Sequence, residues 1–132
     1  MDDLPATKDL LLAAQSFLDD EVVPELSGRR QFLARVTANA LRMAAREIAT
    51  ADVRRARTEA GLAEVLGSGA GDAGAGDSAD AMAVLAERVR RGDFDAGASR
   101  VSLLAFLRSE VRDKLSVSNP RLLEADAARG ID

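Results

Sequence analysis

Apolar residues recur at helical spacing through residues 30–49, RQFLARVTANALRMAAREIA. At about 100° per residue, Phe32, Met43, Val36, Ala40, Leu33, Ala44, Ile48, Leu41, Ala34 and Ala45 cover roughly 220° of the circumference. Arg42, Arg35, Arg46 and Asn39 gather in a strip of about 60°. A helix apolar over so much of its surface is expected at the centre of a bundle, with neighbours on several sides.

The flanking segments supply candidate neighbours. Leu10, Ala14, Leu18, Leu11, Val22 and Phe17 form one face of a first helix, with Thr7 as its candidate N-cap and Pro24 and Gly28 at its end. The short connection at residues 27–30, SGRR, predicts an antiparallel pair. Residues 51–66 suggest a third helix, but Val53, Ala56 and Ala60 align while Leu62, Val65 and Leu66 fall elsewhere. Gly61 weakens it by roughly 1 kcal/mol relative to Ala, so this helix is expected at the periphery. A fourth helix at 79–91 carries a narrow stripe of Met82, Leu85, Ala86 and Val89. A fifth at 100–117 places Leu103, Leu107, Val111, Leu104, Leu115 and Val101 together, with Glu110 and Lys114 as an i, i+4 pair. Asn119-Pro120 ends it, and residues 124–132 are expected to fray. Between helices three and four, GSGAGDAGAGD at 67–77 has the composition of a flexible linker. Its Gly69, Gly71 and Gly74 satisfy GxGxxG, yet no strand precedes them as a dinucleotide site requires. The expected architecture is a single all-α domain of about five helices, with helices one, two and five forming its core.

Composition agrees with that class. Among 132 residues, 47% are hydrophobic and 30% charged, with four Phe, no Trp and no Tyr. An Ala-rich, aromatic-poor apolar set suits close helix packing better than strands. The absence of Cys and His removes disulfides, thiol and imidazole chemistry, and Cys–His zinc sites. No apolar run reaches membrane-spanning length, and the acidic start lacks the features of a signal peptide, so a cytoplasmic location is expected.

The net charge of −4 conceals a segregation. Residues 1–26 hold seven acids against Lys8, a net of −6, whereas residues 29–57 hold eight Arg against Glu47 and Asp52, a net of +6. Either the two segments neutralise each other within the fold, or the basic one meets an acidic partner or a phosphate-bearing ligand. The strip Arg35, Asn39, Arg42 and Arg46 is the candidate partner-binding site, because guanidinium groups suit bidentate carboxylate or phosphate binding. Glu21 and Glu47 fall inside apolar arcs and are candidates for structural ion pairs, Glu21 having as its alternative a helix-end position that reaches solvent. No acids converge as a catalytic pair or metal site, and no serine has a base at an interpretable spacing. No catalytic residue, metal or cofactor is therefore assigned, and enzymatic activity is not expected. The acidic balance and the lack of a recognition motif argue against nucleic acid.

The run FLDDEVVPELSGRRQFLARVTANALRMAARE, followed by KLSVSNPRLL, resembles a family of small uncharacterised bacterial proteins encoded beside aminoglycoside-phosphotransferase-like kinases and acyl-CoA dehydrogenases. It is similar to the small accessory subunit of the hydroxyacyl-CoA kinase of levulinate catabolism. The family pattern falls on Glu21, Pro24, Gly28, Arg29, Phe32, Arg35, Val36, Asn39, Leu41, Arg46 and Glu47, then on Lys114, Leu115, Asn119 and Pro120. The resemblance implies a non-catalytic subunit supporting such a kinase, docked by an apolar face, with the arginine strip near acidic groups or CoA phosphates. Two alternatives of other classes are a self-associating helical protein and an acyl-CoA or small-ligand binding module.

Overall fold

The computed structural model describes residues 4–67 and 78–130. These residues form five α-helices and no strand, an all-α fold: α1 (Thr7–Phe17), α2 (Gly28–Leu66), α3 (Ser78–Arg90), α4 (Gly97–Ser118) and α5 (Pro120–Ala128). Except for Gly67, the linker expected at 67–77 lies outside the described residues. The chain divides into two compact units, Met1–Ala51 and Asp52–Asp132.

Five helices are found, but their division differs from the expected one. Helices two and three are a single helix of 39 residues. No Pro interrupts it, and Thr50 Oγ1 donates back to the Arg46 carbonyl at 2.9 Å, so the hydroxyl serves the continuing helix and does not cap a new one. Pro120, placed at the first turn where its missing N–H costs nothing, opens α5. That helix extends to Ala128, into the segment for which fraying is expected. Thr7 lies within α1; Ala6 is the N-cap residue and offers no side-chain bond.

In the first unit, α1 runs into a π-helical turn, Leu18–Val22, and a 3-10 turn, Val23–Glu25. Gly28 takes a φ of 57°, a left-handed conformation that disfavours a side chain, and α2 starts there. Gln31 Nε2 donates to the Val23 carbonyl at 3.1 Å, and Arg42 Nη2 to Asp19 Oδ2 at 2.6 Å. Contacts pairing 31 with 23 and 42 with 19 require antiparallel segments, so the unit is a helical hairpin. Its buried side chains are Val23, Ala38 and Ala45. The expected apolar arc is therefore core only at its Ala45 edge: Phe32 and Val36, at the other edge, are 64% and 48% exposed, and Leu33, near its middle, is 47% exposed. The buried side of α2 instead runs along Gln31, Ala38 and Ala45, spaced by seven, and the two alanines are small enough to let a neighbouring segment pack closely.

The second unit has the contiguous core of Leu62, Val65, Leu66, Leu85, Phe94, Leu103 and Phe106. The segment expected at the periphery thus provides three of its members. Gly61 explains the discrepancy, because the Phe106 ring occupies the space that a side chain would fill. Arg88 closes one end by donating to the Leu66 carbonyl at 3.0 Å and to Asp93 Oδ2 at 3.0 Å while lying 5.1 Å over the Phe94 ring.

Candidate functional site

The candidate arginine strip lies along α2 of the hairpin and is partly committed within it. Arg42 is paired with Asp19, and its Nη1 also reaches Asn39 Oδ1 at 3.5 Å. Asn39 in turn approaches Met43 Sδ at 3.7 Å. Arg46 and Glu47 are engaged as well. Arg35 is exposed and has no ion pair among the described residues. Glu21 is also exposed without one; the acid that reaches α2 is Asp19, two residues earlier, held in turn by Gln15 Nε2 at 2.6 Å. The charge segregation read in the sequence is realised in a short contact at the Arg42 edge of the strip.

A second surface escaped the sequence. Helix α4 turns its Leu103, Phe106 and Val117 side inward, and polar contacts fasten that side to α2. Thr58 Oγ1 donates to Glu110 Oε1 at 2.6 Å, and Arg57 pairs with Asp113. Glu110 is therefore occupied across the helix interface and is not engaged in the i, i+4 pair expected with Lys114. The apolar residues expected to be core, Val101, Leu104, Leu107 and Val111, are 42–68% exposed. With Leu115, and with Leu123 and Ala127 of α5, Leu104, Leu107 and Val111 line an open groove of about 560 Å³. Arg108, Arg112 and Asp126 stand at its rim. This is an apolar floor with a mainly basic border, a combination able to seat an apolar side chain or helix ridge that carries acidic neighbours. The signal available in sequence was Pro120, which turns α5 back toward α4.

A smaller cleft of about 310 Å³ lies beside Gly61 and Phe106, where Arg57, Glu64, Ser102 and Ser109 contribute its polar groups. Among the described residues, no three acids converge to hold a metal ion, and no helix is long and apolar enough to cross a membrane.

These features define an all-α protein with exposed apolar residues on each of its two units. The chain belongs to the family described as a domain of unknown function, DUF6285, whose model matches residues 24–122. No curated protein and no solved structure matches it.

Proposed function

We propose that the chain is a non-catalytic accessory subunit of an aminoglycoside-phosphotransferase-like kinase acting on hydroxyacyl-CoA in short-chain hydroxyacid catabolism. The partner and substrate class come from the sequence resemblance. The observation that carries the docking role is the α4–α5 groove. KLSVSNPRLL, one of the two segments bearing the resemblance, contributes Leu115 and Leu123 to its lining. An exposed row of leucine and valine beside arginines is costly to leave in water and is suited to a partner surface with an apolar ridge and acidic flanks. The subunit contributes a surface, and the phosphoryl-transfer chemistry belongs to the kinase.

Co-expression with an aminoglycoside-phosphotransferase-like kinase from the same genome, followed by affinity capture, tests this reading. A stoichiometric complex is expected, together with kinase activity that falls when this chain is omitted. Leu107→Glu, on the exposed side of α4, should abolish capture while leaving the helical content intact. The absence of a complex, with kinase activity indifferent to this chain, would overturn it.

A further inference from the structure

The helical hairpin, residues 4–51, has an apolar side that its own fold leaves open. On α2 the stripe facing the α1 segment centres on Ala38 and Ala45, which are 1% and 2% exposed. At about 100° per residue, Ile48, Ala44 and Leu33 lie roughly 70–130° to one side of that stripe, and Arg42, Arg46 and Asn39 roughly 50–110° to the other. On α1 the half-buried residues are Leu11 and Gln15, and Ala14, Leu10 and Phe17 lie about 80°, 120° and 140° to one side of their midline. In an antiparallel pair, flanks of the same rotational sense meet on one broad side. Arg42 and Asp19 share one such sense, and their 2.6 Å contact marks the polar side. The opposite sense brings Leu10, Ala14 and Phe17 together with Leu33, Ala44 and Ile48. Leu10, Phe17, Leu33 and Ile48 are 47–60% exposed.

We infer that a second copy of this chain covers that side, so that two hairpins form a four-helix bundle with its two-fold axis parallel to the helices. Charge selects both the occupant and the arrangement. Between residues 4 and 26 the hairpin carries five acids against Lys8, a net of −4; between 28 and 51 it carries five arginines against Glu47, a net of +4. A surface with equal and opposite halves is complementary to itself, as a two-fold contact requires. An axis parallel to the helices sets each α1 over the other copy's α2, makes every neighbouring pair antiparallel and puts like-charged helices on the diagonals. An axis perpendicular to the helices would stack acid on acid. At the turn end, Glu21 and Arg30 are both exposed and have no ion-pair partners among the described residues. The parallel axis brings Glu21 of each copy to Arg30 of the other. Glu21, which the hairpin itself leaves unpaired, thereby acquires its partner.

Sedimentation or light scattering of the full chain tests the inference without any kinase, so its outcome is separate from that of the docking role proposed above. A dimer mass is expected at about 100 μM, and Phe17→Glu should convert it to a monomer of unchanged helical content. Glu21→Arg and Arg30→Glu should each weaken the dimer by about tenfold, since each creates two like-charge contacts. Mixed in equal amounts, these two variants should form a heterodimer as tight as the unaltered dimer, because every contact in the mixture is again opposite in charge. A monomer at every concentration overturns the inference. So does a dimer insensitive to Phe17→Glu, or a mixture no tighter than its separate components.

Discussion

Gly61 lies directly beneath the ring of Phe106: a Cβ built on the glycine would stand 2.5 Å from Phe106 Cδ2 and 2.9 Å from Cε2. The ring is part of the core and is 6% exposed, so it has little room to retreat. Replacing Gly61 with Ala should raise local helix propensity by about 1 kcal/mol yet overpack this contact, which costs about 1–3 kcal/mol. The expected net result is a loss of stability, read as a lower midpoint in urea at constant m-value. Phe106→Leu in the same chain should make the Gly61→Ala change less harmful, and the double-mutant cycle measures that coupling.

The Arg42–Asp19 pair links the acidic and basic halves of the hairpin, but both side chains retain about a third of their exposure. Solvent screening keeps such a pair weak. Asp19→Asn should cost less than about 1 kcal/mol, with most of the difference lost in high salt. Arg35→Ala, which removes no internal ion pair, should leave the denaturation curve unchanged. Urea titrations at low and high ionic strength distinguish the two.

Arg88 makes three kinds of contact at once: with the Leu66 carbonyl at the C-terminal end of α2, with the Asp93 carboxylate, and with the face of Phe94. Arg88→Ala should cost about 1–2 kcal/mol, because charge-assisted bonds to a helix end add to packing of the side-chain stem. Arg88→Lys should recover only part of this loss, since an ammonium lacks the planar fork that reaches the carbonyl and carboxylate together. Thermal unfolding of the three chains, monitored by circular dichroism, gives the order.

Helix content was legible in the sequence, because periodic apolar positions and the scarcity of β-branched and aromatic residues speak for α structure at every point along the chain. The side each helix buries was not. Residues 51–66 looked peripheral because their apolar positions do not align on one face and because Gly61 carries a propensity cost; that cost is accepted where Phe106 needs space, and Phe106 is 45 positions away. The charge segregation anticipated an opposition between the first segment and the arginine helix, and Arg42–Asp19 realises it. It could not single out Asp19 over Glu21, because the π-helical turn at Leu18–Val22 changes the angular spacing on which that assignment rested. The groove was illegible for another reason. It depends on α5 folding back after Pro120, in residues whose composition resembled a tail.

Adjacent leucines on α4 supply the sharpest test of which face is core. Leu103 is 8% exposed and belongs to the core cluster, whereas Leu104 is 42% exposed and lines the groove. On α4 they are about 100° apart, so periodicity alone assigned both to one broad face. Truncating a buried leucine removes transfer free energy and leaves a cavity, so Leu103→Ala should cost about 2–4 kcal/mol. Leu104→Ala removes a side chain already half in water and should cost less than about 1 kcal/mol. Polar replacement widens the separation, because Leu103→Ser adds an unsatisfied hydroxyl to the core while Leu104→Ser leaves one in solvent. Matched urea denaturation of the four variants should therefore form two groups by position. Equal losses at 103 and 104 would mean that the groove face is buried, which would remove the open surface on which the kinase-docking role rests.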